Sequence, residues 1–126
     1  MTINDPEVLR EVSAVFARYE QALVSNDTAT LDALFWHADA VVRYGVAENL
    51  VGIDAIRAFR AARPSVGLAR RLANTVITTF GTDVATAMTE FHRDGSARIG
   101  RQSQTWVRLP AQGWRVVAAH VSTIEP

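Results

Sequence analysis

The chain has 126 residues, a formal net charge of zero and a hydrophobic content of 48%, which together predict one domain (residues 1–126) with a single core. The even charge balance argues against a nucleic-acid or anionic-membrane partner. No cysteine is present, which excludes disulfides, thiol nucleophiles and cysteine-ligated metals. All 13 basic residues are arginine, so lysine chemistry is excluded, whereas bidentate capture of a carboxylate stays available.

Two further features concern location. No apolar run approaches the roughly 18 residues that a membrane span needs. The first ten residues lack the charged and apolar regions of a signal peptide. Together with the absence of cysteine, these features predict a soluble protein of the cytoplasm.

The first half of the chain predicts helices around one strand. A helix opens within residues 4–27, where Asp5 can cap it and Pro6 fits its first turn. A short helix follows in residues 26–36, capped by Asn26 or Asp27. Residues 40–45 predict a strand and residues 46–52 a turn with a short return. Residues 52–64 predict a second substantial helix, ended by proline.

The second half predicts four strands separated by hairpin turns. The β-rich runs are residues 70–81, 84–92, 97–109 and 114–124. Helices followed by an antiparallel meander indicate an α+β fold, with the N-terminal helices packed in the concave face of a curved antiparallel sheet. A long twisted sheet wrapped over helices makes a cone, and the open end of the cone is a candidate pocket.

Tyr19 is the first candidate for chemistry. Apolar residues of the first helix recur at helical spacing, and Tyr19 lies on that core-facing stripe. A tyrosine there either satisfies its hydroxyl on a backbone carbonyl or directs its phenol into the pocket as a proton donor.

Arg43 is the second candidate, because it interrupts an apolar run. Strand alternation places it on one face with Val41, opposite Val42 and Tyr44. Alternation alone leaves two possibilities open: a guanidinium that reaches water, or one held inside to meet an anion. Glu48, in the following turn, can pair with Arg43 or lie at the pocket rim.

The remaining arginines favour a solvated surface. Arg57, Arg60 and Arg63 recur every three residues, which is typical of a helix face opposite its apolar stripe. Arg70 and Arg71 open a strand and are expected at the surface, although a strand end at a pocket mouth suits an anion contact.

Residues 100–108 form a strand that is polar on both faces. Gln102, Gln104 and Trp106 share one face, and the other face is polar as well. Either a cavity lining or a hydrated dimer interface would explain this pattern. The alternation of side chains does not show which of the two faces points inward. His120 lies in an apolar run, which favours a core histidine over a pocket acid or base. The histidines show no metal-ligand spacing.

The order of elements and the ending "GWRVVAAHVS" resemble the nuclear transport factor 2-like superfamily, also called SnoaL-like or cystatin-like. A narrower resemblance rests on "RYG", "GxxxIRAFRAARP", "TVITTFGTD", "GRQSQTWVR" and the same ending. These stretches look like the AtzH-like family, which includes oxalurate-catabolism proteins labelled HpxZ.

The resemblance implies hydrolysis of a dicarboxylated urea to allophanate with loss of carbon dioxide, in the catabolism of nitrogen-rich compounds alongside amidases. Its implied catalytic residues are a first-helix tyrosine and a strand arginine, which correspond to Tyr19 and Arg43. Arg43 would clamp one carboxylate and Tyr19 would supply the proton. We expect no metal and no organic cofactor. The candidates to shape the pocket and bind substrate are Gln102, Gln104, Trp106, His120 and Glu48.

Two rival functions stay open. The first is a non-catalytic, dimeric accessory module of an amidase, since a fold does not fix a function. The second is an isomerase or dehydratase for a larger apolar substrate, which an arginine at the pocket floor argues against. In each case we expect a homodimer, because the outer face of the sheet also carries apolar residues.

Overall fold

The computed structural model describes residues 1–126. Three helices and six strands form in the predicted order, which confirms the α+β fold. The helices are α1 (Pro6–Val24), α2 (Thr28–Leu34) and α3 (Ile53–Ala62). The strands are β1 (Val42–Tyr44), β2 (Asn49–Val51), β3 (Arg71–Phe80), β4 (Val84–His92), β5 (Ile99–Leu109) and β6 (Gly113–Ile124).

Local side-chain caps begin the first two helices. The carboxylate of Asp5 accepts hydrogen bonds from the backbone N–H groups of Glu7 and Val8, and Pro6 occupies the first turn of α1. The carboxylate of Asp27, not Asn26, caps α2 by accepting from Thr30. Each cap satisfies helix N–H groups that otherwise lack a partner, which is worth about 1 kcal/mol per helix.

The six strands form one sheet in the order β2-β1-β6-β5-β4-β3. One pair departs from the predicted antiparallel arrangement, because β1 runs parallel to β6. A parallel pair needs a long crossover between its strands. Here the segment from β2 to β5 forms this crossover. It places β1, the strand that carries Arg43, beside β6.

The core lies between α1, α2 and the concave face of the sheet. Trp106 and Val116 contribute fully buried side chains from the strands, and Leu31 and Phe35 from the segment around α2. Full burial of such side chains contributes about 1.5–3 kcal/mol each. Tyr19 belongs to the same cluster, which confirms its predicted place on the core-facing stripe of α1. None of the helices has the length and apolarity that crossing a bilayer requires.

Candidate functional site

Arg43 lies on the concave face of the sheet, so its side chain points inward and not to water. In the sheet register Arg43 is opposite Ala119, and Ala119 is opposite Gln104. Residues directly opposite one another share a face, and Ala119 and Gln104 are both buried. The Arg43 side chain is only 14% exposed, and its guanidinium lies 5.5 Å from the centre of the Phe59 ring. The arginine is therefore held inside.

Glu48 pairs with Arg43. Nη1 of Arg43 donates to Oε1 of Glu48 at 2.9 Å, and the other carboxylate oxygen accepts from the backbone N–H of Ala47 at 3.2 Å. The carboxylate lies across Gly45, where an added Cβ would come within 1.8 Å of Oε1. A side chain at position 45 would therefore displace the Glu48 carboxylate from this position. Glu48 therefore neutralises much of the Arg43 charge.

Tyr19 is 4% exposed and lies among aromatic rings. Its ring centroid is 6.2 Å from that of Phe35, in a stacked arrangement. It is also 6.2 Å from that of Trp106, edge to face. Two such contacts fix the orientation of the phenol, since each aromatic pair adds about 0.5–1.5 kcal/mol beyond burial.

Strand β5 is polar on both faces, and the face that points inward carries Gln102, Gln104 and Trp106. Oε1 of Gln104 accepts from Trp106 Nε1 at 3.0 Å, and Oε1 of Gln102 accepts from Arg70 at 2.9 Å. Both partners can only donate, so the two amide orientations are fixed. The Nε2 groups of both glutamines are buried without an acceptor. This inner surface has more hydrogen-bond donors than acceptors.

His120 does not join these residues. It is opposite Ser103 on β5 and Tyr44 on β1, and its ring packs edge to face with that of Tyr44 on the outer surface of the sheet. The expectation of a central histidine is wrong, because a bulge shifts the register between Thr105 and Trp106. Val116 faces inward before the bulge and Ala119 after it, which turns His120 outward.

Two arginines expected at the surface are buried and paired. The Arg60 side chain is 3% exposed and the Arg70 side chain 1%. Arg60 binds Asp32. Arg70 uses Nε and Nη2 to hold the Glu20 carboxylate at 2.7 and 2.6 Å. The prediction of a solvated arginine face on α3 is therefore wrong for Arg60, and the prediction of a surface position is wrong for Arg70.

Arg63 differs from these arginines because it has no carboxylate partner. Its Nε and Nη2 atoms are buried without any hydrogen-bond acceptor. Burial is the main cause that lowers the pKa of Arg63, and the positive charge of Arg60 lowers it further, as do Arg43 and Arg93, whereas Tyr19 acts in the opposite direction. Arg63 is thus a half-buried cation whose charge interacts with both predicted catalytic residues.

Arg93 also lacks a carboxylate partner. Its Nη1 donates to the backbone carbonyls of Gly67 and Leu68, at 2.8 and 3.0 Å. Burial and the charge of Arg70 lower the pKa of Arg93. The Phe91 ring lies 5.2 Å from the Arg93 guanidinium and 4.5 Å from that of Arg70.

A cavity of about 230 Å³ opens beside these groups. Arg43, Glu48, Phe91 and Arg93 are among its lining residues, and Tyr19 and Arg63 are not. Its volume is below that of most drug-sized pockets and suits a small molecule. A second cavity, of about 390 Å³, lies on the outer face of the sheet and includes His120.

The charges of this region do not balance. Five arginines interact here, and three of them have carboxylate partners: Arg43 with Glu48, Arg60 with Asp32 and Arg70 with Glu20. Arg63 and Arg93 have no carboxylate partner, and the charges of neighbouring arginines act unfavourably on both. No group of three histidine, aspartate or glutamate side chains is placed to hold a metal ion. A surplus of two cations with unmatched donors suits an anionic ligand.

The fold is that of a cystatin-like, nuclear transport factor 2-like domain. A protein of that superfamily from Salmonella enterica serovar Typhimurium aligns at 23% identity and a TM-score of 0.78, over 96% of this chain and 94% of its own. That likeness shows the fold alone.

The narrower assignment follows from the sequence match. The AtzH-like family model matches residues 1–126, and the chain belongs to the AtzH-like family. A DUF3225-family protein of unknown function from Pectobacterium atrosepticum is 62% identical, with a TM-score of 0.96, over 98% of this chain and 95% of its own. A cystatin-like fold protein from Burkholderia xenovorans is 52% identical, also with a TM-score of 0.96, over 100% of this chain and 98% of its own. No curated protein matches the chain.

Proposed function

We propose that this protein is a cofactor-free enzyme that removes one carboxylate from a small dicarboxylated urea, yielding allophanate and carbon dioxide. The observation that carries the proposal is the inward-facing Arg43, which lines the 230 Å³ cavity together with Arg93, an arginine without a carboxylate partner. Family membership supports the same substrate class. A dicarboxylated urea is small, planar and doubly anionic, and guanidinium groups match its carboxylates in shape and charge.

The chemistry requires one proton at one nitrogen. Protonation of the nitrogen that bears the carboxylate lets the N–C bond break, and its electron pair stays on nitrogen while carbon dioxide leaves. The Tyr19 phenol is the proposed donor, and water returns the proton to it afterwards. A positioned acid contributes about 10²–10⁴-fold to the rate. Arg43 is the proposed clamp for a carboxylate, with Glu48 orienting its guanidinium.

The test uses the two tyrosines of the chain. Tyr19→Phe removes only a hydroxyl, so we expect a loss of about 10²–10⁴-fold in kcat for carbon dioxide release from a dicarboxylated urea. Tyr44→Phe is the matched control, because Tyr44 is 41% exposed on the outer face, and it should keep full activity. Arg43→Ala should raise KM or abolish turnover.

Circular dichroism and thermal unfolding would establish that each variant is folded. Full activity of both Tyr19→Phe and Arg43→Ala would refute the assignment. No release of carbon dioxide by the wild-type protein from that substrate would refute the reaction itself.

A non-catalytic, dimeric module is the second candidate. One observation favours it: a row of side chains crosses the outer face from Val76 through Met88, Ser103 and His120 to Tyr44. Val76 is 57% exposed and Met88 48%. Tyr44, at the other end of the row, is 41% exposed, and exposed apolar side chains that share one face mark association surfaces. We propose a homodimer through this row, with an amidase as the partner of the assembly.

Sedimentation velocity tests the dimer directly. The wild type should sediment as a dimer, and Met88→Asp should sediment as a folded monomer, because the interface would bury the new carboxylate without a partner. A wild-type monomer would contradict the homodimer. A stable complex with an amidase, without turnover by this chain alone, would favour the module over the enzyme.

A further inference from the structure

We propose that Arg63 binds a carboxylate of the ligand, and that the unpaired charges of Arg63 and Arg93 make the concave interior prefer dianions over monoanions. The identity of the ligand as a dicarboxylated urea rests on the proposed function, whereas the dianion preference is a property of binding alone.

The first argument is the free edge of the Arg63 guanidinium. Nε and Nη2 lie on one edge of the group and together bind both oxygens of a carboxylate. Arg70 uses these two atoms to hold Glu20. In Arg63 the same two atoms are buried and have no acceptor. The fold therefore contains one filled and one unfilled copy of the same arrangement.

The second argument is energetic. A buried charged group without a partner is costly, and proteins usually pair it or expose it. The charges of Arg60, Arg43 and Arg93 all act unfavourably on Arg63, and only the first two of these have carboxylate partners. A bound anion would relieve this repulsion. An arrangement that is unfavourable in the free protein and favourable in the complex is expected of a binding residue.

The third argument is the backbone of Arg63. Residues before proline avoid the helical conformation, and Arg63 precedes Pro64. Arg63 is accordingly extended, with φ −74° and ψ 149°, and its N–H donates to the Phe59 carbonyl at the end of α3. The proline thus fixes the backbone from which this side chain projects.

Arg93 supplies the second surplus charge. It lines the 230 Å³ cavity together with Arg43, and its charge acts on Arg63. Because Glu48 already accepts from Arg43, the charge that remains for a ligand comes chiefly from Arg63 and Arg93. Two surplus cations balance two carboxylates, so a dianion gains more than a monoanion of the same shape.

The experiment compares malonate with malonamate, two probes that differ by one negative charge. Isothermal titration calorimetry would measure both on the wild type, Arg63→Gln and the control Arg57→Gln. Arg57 lies on the same helix with its side chain 56% exposed. We expect the wild type to bind malonate at least about tenfold more tightly than malonamate. Arg63→Gln should lose about 10–100-fold in malonate affinity, with little loss for malonamate. Arg57→Gln should bind as the wild type does.

Thermal unfolding separates binding from a structural role. Without ligand, Arg63→Gln should melt at the same or a higher temperature than the wild type, because it removes a half-buried charge that has no partner. Malonate should raise the Tm of the wild type more than that of the variant. Arg63→Lys keeps the charge without the planar fork and should bind malonate with intermediate affinity.

Three results would overturn the inference. One is a wild type that does not prefer malonate, or does not bind it. Another is an Arg63→Gln variant that binds malonate as tightly as the wild type. The third is a ligand-free Arg63→Gln variant that melts at a clearly lower temperature. The proposed reaction fails separately: Arg63-dependent binding of malonate without turnover of a dicarboxylated urea would refute the reaction and leave this inference standing.

Discussion

Arg70 and Arg63 differ in whether the Nε and Nη2 edge of the guanidinium has a hydrogen-bond acceptor. Arg70 meets Glu20 of α1 and Gln102 of β5, so all its charge is matched by the chain itself. Arg63 meets no acceptor. The matched arginine joins a helix to the sheet and therefore serves the fold. The unmatched arginine is costly for the fold, which is the basis for proposing it as a ligand-binding residue.

The largest expected effect on this comparison comes from removing Glu20, the partner of Arg70. Glu20→Ala would leave Arg70, with its side chain 1% exposed, without its carboxylate. Loss of one partner of a buried ion pair costs about 3–5 kcal/mol. We expect the free energy of unfolding, measured by urea titration, to fall by about that amount.

Glu7→Ala is the control for that measurement. Glu7 also pairs with an arginine, but both side chains are about 70% exposed, and such pairs contribute about 0–1 kcal/mol. Equal losses in the two variants would mean that Arg70 does not depend on its pairing. It would then no longer serve as the matched reference for Arg63.

Glu48→Gln tests the role of the surplus positive charge, with a smaller expected effect that is measured on malonate affinity. Glutamine keeps an oxygen for Arg43 but removes the negative charge, so a third cation loses its balance. We expect malonate to bind about two- to tenfold more tightly in calorimetry, because the local surplus rises by one charge. Weaker malonate binding would show instead that the Glu48 carboxylate is needed to orient Arg43.

The sequence predicted best those features that depend on neighbouring residues. Asp5, Pro6 and Asp27 act within one turn of the chain, and the helix ends follow from them. Tyr19 was placed on the buried side of α1 because helical spacing needs no knowledge of the partner. The four long strands followed from their turns for the same reason.

The α3 arginines show how a short pattern misleads. A helix turns by about 100° per residue, so Arg57 and Arg63 lie about 120° apart around the axis. A spacing of three therefore does not keep residues on one face. Arg60 is four residues after the buried Ile56, and Arg63 is four after Phe59, which Arg43 contacts. Spacing of four from apolar residues was the available signal for both.

Other features depend on contacts that no local pattern contains. The inward orientation of Arg43 follows from its register with β6, far along the chain. The pairing of Arg70 with Glu20 joins residues 50 positions apart. The outward orientation of His120 follows from a single bulge, because one extra residue exchanges the two faces of a strand.

The parallel pairing of β1 with β6 has a consequence for synthesis. β1 pairs only with β2 and β6, and β6 follows the five other strands along the chain. Until residues 113–124 emerge, the strand that carries Arg43 has only three residues of hairpin to hold it, which is too little for independent stability. Arg43 therefore reaches its place beside the other buried arginines only after β6 has been synthesised and has paired with β1.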